Sequence, residues 1–333
     1  MNSPQKLRRS SVTRRPVHGV LLLDKPIGLS SNQALQKAKW LLRAEKAGHT
    51  GTLDPLATGV LPLCFGAATK FSQLHLDADK TYVADVRLGV TTTTADAEGD
   101  VLETKPVPSV TQQVLDVVAA QFVGDIDQIP PMYSALKRDG KALYEYAREG
   151  ITLERAPRRV HIFKLQLSLT DDPGVIKLYA TCSKGTYIRT LGEDVGAALG
   201  CGAHLASLRR TQTGGFSLAD DRVSHQSITL ADLEAMSEEA RIQALLPVHS
   251  LLPVVSTITL TSHDAGRFLS GVRLRGDQFD VTDGLLAVWG DEPHAFLGSA
   301  HTAGGELIPT RLLSPIEVSE CLAQGTPHVA ALH

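Results

Sequence analysis

The segment from Gly48 to Pro62 constrains the fold of this 333-residue chain more than any other part of its sequence. It reads Gly-His-Thr-Gly-Thr-Leu-Asp-Pro-Leu-Ala-Thr-Gly-Val-Leu-Pro, so that glycines and prolines surround a single carboxylate, Asp54. Glycine adopts backbone angles that other residues avoid, whereas proline fixes its own φ and disfavours helical geometry in the residue before it. The pattern predicts a stiff, non-helical loop that holds Asp54 at a fixed angle.

The same pattern is also typical of a simple turn in which the Asp side chain hydrogen-bonds to nearby amides. Apolar residues within the segment favour the first interpretation, because they anchor the loop in a core and partly desolvate the carboxylate. These residues are Leu53, Leu56, Val60 and Leu61.

Residues 49–59 resemble the catalytic loop of the bacterial tRNA pseudouridine-55 synthases, and the resemblance continues through Leu61-Pro62, Gly66 and residues 68–71. Residues 25–31 resemble the first motif of that family, with Ser30 where Thr is more usual. Other matching segments are the polar loop 92–100, the stretches 129–137 and 140–148, the motif 185–189 and the segment 206–216. The matched motifs span about residues 18–220.

The resemblance implies an α+β fold, in which a catalytic domain with a mixed, mainly antiparallel sheet flanked by helices precedes a small C-terminal all-β, PUA-like domain. It implies that the chain isomerises the T-loop uridine of tRNA, at position 55, to pseudouridine. The partner would be the T-arm stem-loop of tRNA. We expect no cofactor, no metal, and a monomer.

The resemblance also assigns site residues. Asp54 would be the nucleophile or base, Tyr82 would stack on the target base with a possible part in proton transfer, and Arg189 would form an ion pair with Asp54. The expected substrate-binding residues are Lys25, His49, Asp96, Lys137, Tyr187 and Leu208. Asp96 would help to hold Arg189, and His49 would fill the space that the displaced base leaves.

The residues around Arg189 predict the same ion pair independently. Ile188, Leu191, Val195 and Leu199 share one face of a predicted helix, which places Arg189 in its first turn. The helix macrodipole disfavours a cation there, so a nearby anion is expected, and Asp54 is our candidate. Such a pair would keep Asp54 ionised at neutral pH. The alternative is a surface arginine paired with Glu193 one turn further on.

Several of these residues also fit a purely structural role. Tyr82 lies in a strand pattern with Ala84, Val86 and Leu88, so it also fits a core tyrosine with its hydroxyl at the edge. Leu208 lies in an apolar run, where leucine is ordinarily a core residue. A lone histidine such as His49 is more often structural than functional.

The implied reaction breaks the N1–C1′ glycosidic bond, turns the base and joins C5 to C1′. It needs one carboxylate near the anomeric carbon, as glycoside cleavage does. Asp54 either attacks C1′ or removes the C2′ proton to give a glycal, and the sequence leaves both routes open. The base that takes the C5 proton is either Asp54 or the Tyr82 hydroxyl. The target base must leave its stack, which costs a few kcal/mol.

A composition of 43% hydrophobic and 21% charged residues places the chain among globular proteins, and its length of 333 residues indicates two domains. No apolar run has the length of a membrane span, and the N-terminus lacks the apolar region of a secretory signal. The cysteines Cys64, Cys182, Cys201 and Cys321 have no paired spacing, which indicates reduced thiols and a cytoplasmic protein.

The net charge of −3 is unevenly distributed. Residues 251–333 hold 4 basic and 9 acidic residues, and the remainder is mildly basic with clusters that can follow a phosphate backbone. We predict a flexible basic arm over 1–17, a catalytic domain over 18–249, a small β domain over 250–315 and a tail of uncertain order over 316–333. An acidic domain is a poor RNA surface, so any contact would use a local patch such as Arg267, Arg273 and Arg275.

Three alternative functions remain. A guide-RNA-dependent relative would share the catalytic loop, although the segment 129–148 favours the guide-independent type. An RNA-binding or RNA-folding protein would keep its role without Asp54. A nucleotide-binding enzyme with a Gly-rich loop would bind ATP or NAD, which we predict to be absent because the phosphate-loop, zinc-protease and nucleophile-elbow motifs are missing.

Overall fold

A computed structural model describes residues 13–218, 227–253, 256–279 and 284–325 of the chain. Within these ranges no helix is long and apolar enough to cross a membrane.

The strands and helices follow one another along most of the described chain. The strands are β1 (Gly19–Lys25), β2 (Ala47–His49), β3 (Ala57–Phe65), β4 (Lys80–Leu88), β5 (Val90–Thr92), β6 (Val101–Thr104), β7 (Gly124–Gln128), β8 (Lys137–Arg138), β9 (Lys141–Ala142), β10 (Arg158–Leu169), β11 (Val175–Cys182), β12 (Ala203–Thr213), β13 (Phe216–Ser217), β14 (Ile228–Thr229), β15 (Ser256–Leu260), β16 (Leu274–Arg275), β17 (Leu285–Gly290), β18 (Ala295–Ala303) and β19 (Glu306–Leu312). The helices are α1 (Ser31–Leu41), α2 (Ser72–Leu76), α3 (Gln112–Gln121), α4 (Leu143–Arg148), α5 (Ile188–Ala198), α6 (Leu230–Ala235), α7 (Glu238–Gln243), α8 (Ser262–Leu269) and α9 (Pro315–Gln324).

A large mixed sheet organises the first part of the chain. Its strands run in the order β14-β1-β3-β12-β4-β11-β10-β7, with β13 beside β12 and β2 beside β3. Most neighbours are antiparallel, whereas β12 runs parallel to β3 and β14 runs parallel to β1. The predicted α+β fold with a mainly antiparallel sheet is confirmed.

The central strands are apolar along their whole length because both faces of the sheet are covered. In β1, Leu21 and Leu23 point into a core shared with α1, α3 and α5. Val20 and Leu22 point into a second core on the opposite face. Successive side chains of a strand point to opposite faces, so β1 has no solvent-facing side and reads as a continuous apolar run.

A smaller sheet, in the order β15-β17-β18-β19-β16, forms the C-terminal domain. Helix α8 packs against this sheet through Phe268, so the domain holds helices as well as the expected strands. Ala287, Phe296 and Leu313 reach the second core of the large sheet. The two sheets are therefore joined by a continuous apolar contact.

The ends of the chain differ from our expectation. Residues 1–12 of the predicted arm lie outside the described residues, but residues 13–17 are attached to the catalytic domain. The Arg15 amide donates to Arg43 O at 2.9 Å, and Val17 is buried.

The tail of uncertain order that we predicted over 316–333 contains most of helix α9. Ser314 caps this helix in a capping box with Glu317, and Pro315 lies in its first turn. Gln324 binds both backbone groups of His18. Residues 326–333 lie outside the described part, and the domain boundaries at 249 and 315 stay predictions.

Candidate active site

The loop that carries Asp54 lies between β2 and β3 and is anchored on both sides of the carboxylate. The Ser31 hydroxyl accepts from the Leu53 amide at 2.7 Å and donates to Leu53 O at 3.0 Å. The Gly28 amide donates to Pro55 O, and the Ala57 amide donates to Asp54 O. Leu53 itself is buried in the main core. These contacts fix the loop to the start of α1 and to the loop before it.

The side chain of Lys25 also helps to hold the loop in place. Its side chain is fully buried, and Nζ donates to Pro26 O at 2.9 Å, to Leu29 O at 2.6 Å and to Pro55 O at 3.5 Å. Burial lowers the pKa of Lys25 to about 8, while the charge of Asp54 works in the opposite direction. Lys25 therefore acts here as a backbone clamp close to the catalytic loop.

Arg189 lies beside Asp54, where the sequence predicts an ion pair. Arg189 Nε is 3.0 Å from Asp54 Oδ2. The arginine side chain is only 5% exposed, whereas the aspartate side chain is 37% exposed. This excludes the alternative of a surface arginine paired with Glu193. The geometry presents one face of the carboxylate to solvent while a buried cation holds the other.

The other two guanidinium nitrogens of Arg189 also have hydrogen-bond partners. Nη1 donates to Thr94 O at 3.0 Å, and Nη2 donates to Tyr133 O at 2.7 Å. Asp96 Oδ2 lies 3.7 Å from Nη1 and is almost fully buried. The Asp96 carboxylate is held in turn by the Thr94 hydroxyl and the Glu98 amide. A fixed arginine fixes the orientation of Asp54.

Two opposing effects act on the ionisation of Asp54. Burial raises the pKa of its carboxyl above the ordinary value of 3.8, and the nearby charge of Asp96 adds to this. Arg189 and Lys25 favour the charged form and limit the rise in the pKa. The residue is a carboxylate in a partly desolvated place, where a charge interacts more strongly than in water.

Tyr82 lies next to the site, in a row of paired residues that runs across the neighbouring strands β4, β12 and β3. The register pairs Tyr82 of β4 with Arg210 of β12, and Arg210 with Gly59 of β3. Tyr82 is buried in the same core as Leu208, and burial raises the pKa of its hydroxyl while a hydrogen bond to Arg210 lowers it. Gly59 has a φ of +101°, and a Cβ there would lie 2.1 Å from Arg210 O. Only glycine fits at position 59, where β3 lies against the backbone of β12.

The other predicted residues fall into two groups. His49 ends β2, and Leu208 pairs with Ala57 and Ala84 within the core. Tyr187 immediately precedes α5 and is half-buried. These three lie around the Asp54 loop or the Arg189 turn. Lys137, by contrast, lies on the exposed β8–β9 hairpin, and no described contact brings it to Asp54.

The imidazole of His49 is held neutral by its surroundings. Burial lowers the pKa of His49, and the charge of Arg210 lowers it further. Its Nδ1 is buried without a hydrogen-bond partner in the described residues. A neutral ring beside the loop is suited to stacking on a base.

Arg209 and Arg210 are adjacent in the sequence, but only Arg210 is buried. Arg210 is 1% exposed, and it donates through Nε to Val60 O and through Nη2 to Gly51 O. It thus ties together the two ends of the loop that holds Asp54. The signal was present, because strand alternation places Arg210 on the same face as Leu208.

The described residues hold no cluster of three or more His, Cys, Asp or Glu side chains that could bind a metal ion. The site consists of a partly exposed carboxylate, a buried arginine and a buried tyrosine. A carboxylate with this setting can meet positive charge at an anomeric carbon, and an adjacent aromatic ring can support a base.

Two protein-family profiles match the chain. Residues 39–188 match the TruB family pseudouridylate synthase N-terminal domain, and residues 189–253 match the tRNA pseudouridylate synthase B C-terminal domain. The boundary between the profiles falls between Ile188 and Arg189, inside helix α5. Both profiles therefore contribute to the site.

Two similar proteins cover nearly the whole chain. The tRNA pseudouridine synthase B of Verminephrobacter eiseniae is 59% identical over 320 residues, which is 95% of this chain and 94% of that protein. The enzyme of the same name from Ralstonia pickettii is 54% identical over 324 residues, which is 94% and 99% of the two chains.

A solved structure agrees in fold. The crystal structure of a Cbf5-Nop10-Gar1 complex contains a chain that matches with a TM-score of 0.64 and 26% identity, covering 90% of this chain and 86% of that one.

Proposed function

The chain belongs to the TruB family of pseudouridylate synthases, and we propose that it isomerises the T-loop uridine of tRNA, at position 55, to pseudouridine. The reaction class follows from the family, and the tRNA substrate follows from the names of the relatives. The observation that carries the site assignment is the contact of 3.0 Å between buried Arg189 and partly exposed Asp54.

In this proposal Asp54 acts first. The N1–C1′ bond breaks as the carboxylate either bonds to C1′ or takes the C2′ proton, and the negative charge on the departing uracil stays on the base. Arg189 holds the carboxylate towards the sugar, while its contacts to Thr94 O, Tyr133 O and Asp96 keep the guanidinium fixed. Preorganisation of this kind lowers the barrier because no group has to reorient during the reaction.

The uracil then turns against Tyr82 and joins C1′ through C5, while the bond between Asp54 and C1′ breaks in the first route or Asp54 returns the proton to C2′ in the second. The proton on C5 leaves, N1 gains a proton, and the atoms of reactant and product are the same. The base for the C5 proton is Asp54 or the Tyr82 hydroxyl. Arg210 lies at that hydroxyl, so its charge opposes the rise that burial causes in the pKa of Tyr82.

The target base has to leave the T-loop stack to reach Asp54, so we propose base flipping as part of the reaction. The neutral imidazole of His49 lies beside the loop, as a side chain that replaces the base requires. Every residue in this proposal comes from a single chain, so the reaction requires no second subunit, and we propose that the protein acts as a monomer. A tRNA-modifying enzyme also fits a cytoplasmic location.

An unmodified tRNA transcript tests the substrate assignment. We expect wild-type protein to form pseudouridine at the T-loop uridine, detected by carbodiimide modification and a reverse-transcription stop at that position. A transcript with cytidine at that position serves as the control and should give no stop. A chain that binds the transcript without modifying it would instead be an RNA-binding protein.

A further inference from the structure

The side chain of Gln128 binds both backbone polar groups of Tyr187. Gln128 is the last residue of β7 and is 2% exposed. Its Nε2 donates to Tyr187 O at 3.2 Å, and its Oε1 accepts from Tyr187 N at 3.0 Å. This arrangement fixes the amide orientation, because the flipped amide would face donor with donor and acceptor with acceptor.

Tyr187 is the N-cap residue of helix α5, directly before its first residue, Ile188. It adopts an extended conformation, and its own side chain forms no capping hydrogen bond to the helix. The first amides of a helix have no partner inside the helix, so the position of its start depends on outside contacts. Gln128 provides such a contact directly before the turn that contains Arg189.

The segment after Gln128 reaches the same turn a second time. Tyr133, five residues further along the chain, accepts a hydrogen bond from Arg189 Nη2 at 2.7 Å. One short segment therefore holds both the backbone at the start of α5 and the guanidinium that pairs with Asp54.

We propose that Gln128 is a positioning residue for the Arg189–Asp54 pair. It sets where α5 begins and hence where the guanidinium meets the carboxylate. This inference rests on the proposed isomerase function, and it assigns a role to a residue remote from the substrate. Catalysis depends steeply on such placement, since a displacement of about 1 Å can lower a rate about 100-fold.

The test compares Gln128→Met with Gln112→Met in the full chain. Methionine has nearly the shape of glutamine but cannot bind the Tyr187 backbone. Gln112 is the control for the loss of a bridging amide, because its amide also binds two backbone groups, at Leu167 and Leu169 of β10, on an exposed face of α3. Rates are measured as tritium release from tRNA labelled at uracil C5.

We expect Gln128→Met to lower kcat about 10- to 100-fold with little change in KM for tRNA, and Gln112→Met to leave both values close to wild type. A wild-type kcat in folded Gln128→Met would overturn the proposal. An equal loss in both variants would also overturn it, because the effect would then be one of general stability.

A double variant separates positioning from a purely structural role. In an Arg189→Gln background, Gln128→Met should cause little further loss, because residues that act through one contact give non-additive effects. A full additional loss would contradict a route through Arg189.

If Gln128→Met does not fold, Gln128→Glu supplies the same test. Its carboxylate still accepts from Tyr187 N but cannot donate to Tyr187 O, so an intermediate kcat is expected, and a wild-type kcat refutes the proposal. An inactive wild-type protein would refute the proposed function itself. An active wild type with an equally active variant would refute only the role of Gln128.

Discussion

Asp54 has to be ionised in either route for glycosidic cleavage, so its pKa determines the acid limb of activity. Burial raises that pKa above 3.8, and Arg189 opposes the rise through its charge and its hydrogen bond. The rate should fall as the pH decreases through the raised pKa, because protonated Asp54 neither attacks C1′ nor accepts the C2′ proton.

Replacing Arg189 should move this acid limb. In Arg189→Gln the positive charge is absent, so the pKa of Asp54 rises further and the limb moves to higher pH, in addition to a loss of maximal rate. The measurement is the single-turnover rate across pH with saturating tRNA. Arg189→Lys is the control, because it keeps the charge and should shift the limb less. An unshifted limb in Arg189→Gln would contradict the pairing as the source of this effect.

At the residue scale, the sequence predicted the contacts that local rules describe. Arg189 was predicted beside an anion because it falls in the first turn of a helix, and Asp54 is the carboxylate found there. Gln128 and Arg210 were not recognised, because their roles depend on contacts with residues 59 and 150 positions away in the chain. Strand alternation indicates that Arg210 faces the core, but no local sequence pattern identifies the distant backbone groups that Gln128 and Arg210 bind.

At the scale of elements, the start of α1 has two adjacent serines with separate tasks. Ser30 caps the helix through a capping box with Gln33. Ser31 instead binds both backbone groups of Leu53, next to Asp54. One hydroxyl serves the helix, and the other serves the catalytic loop.

The variants Ser30→Ala and Ser31→Ala separate these tasks. Each should lower the free energy of unfolding by about 1 kcal/mol, since each removes a hydroxyl that satisfies backbone groups. Only Ser31→Ala should also lower kcat, because it releases the loop that carries Asp54. Urea unfolding and tritium-release rates provide the two readings. Equal kcat values for the two variants would contradict the anchoring role of Ser31.

The elements that had clear periodicity were predicted well from the sequence. The helix predicted from Ile188, Leu191 and Val195 occurs as α5, and the strand pattern of Tyr82, Ala84, Val86 and Leu88 lies in β4. Helix α9 was not predicted, although Ser314, Pro315 and Glu317 form a recognisable helix start. No residue of α9 is fully buried, so its apolar pattern is weak. Its contact with His18, directly before β1, joins residues far apart in the chain.

At the scale of the molecule, α9 joins the C-terminal part of the chain to the catalytic domain. Lys70 Nζ lies 2.5 Å from Glu317 Oε2 and 3.0 Å from Leu312 O. Burial disfavours the charged form of Glu317, but the hydrogen bonds from Lys70 and Ser314 and the charge of Lys70 together outweigh it, so the pKa of Glu317 lies below its ordinary value of 4.5. The pair stabilises the contact between α9 and the catalytic domain while Glu317 is ionised.

A double-mutant cycle with Lys70→Met and Glu317→Gln should give a coupling energy of up to about 1 kcal/mol at neutral pH, since both groups are partly exposed. A lowered carboxyl pKa contributes stability above the unfolded value, so the coupling should be full above pH 4.5 and should disappear as the pH falls through the folded-state pKa. Unfolding at several pH values measures it. A coupling that persists in strong acid would contradict an ionic contact.

The charge distribution of the C-terminal domain also has a structural explanation at this scale. The arginines proposed as a local RNA patch each lie beside a carboxylate, Arg267 beside Asp264 and both Arg273 and Arg275 beside Glu306. Their charges are thus largely compensated within the domain. The basic surface for tRNA is expected on the catalytic domain instead.

The central claim is that Asp54 performs the isomerisation, and tritium release tests it most directly. Unmodified tRNA labelled at uracil C5 is incubated with wild type and with Asp54→Asn, which keeps the side-chain shape and removes the charge. Joining C5 to C1′ expels the label, so wild type should release one equivalent per tRNA, and Asp54→Asn should release none above background. Release by Asp54→Asn at the wild-type rate, from folded protein that binds tRNA, would contradict the claim.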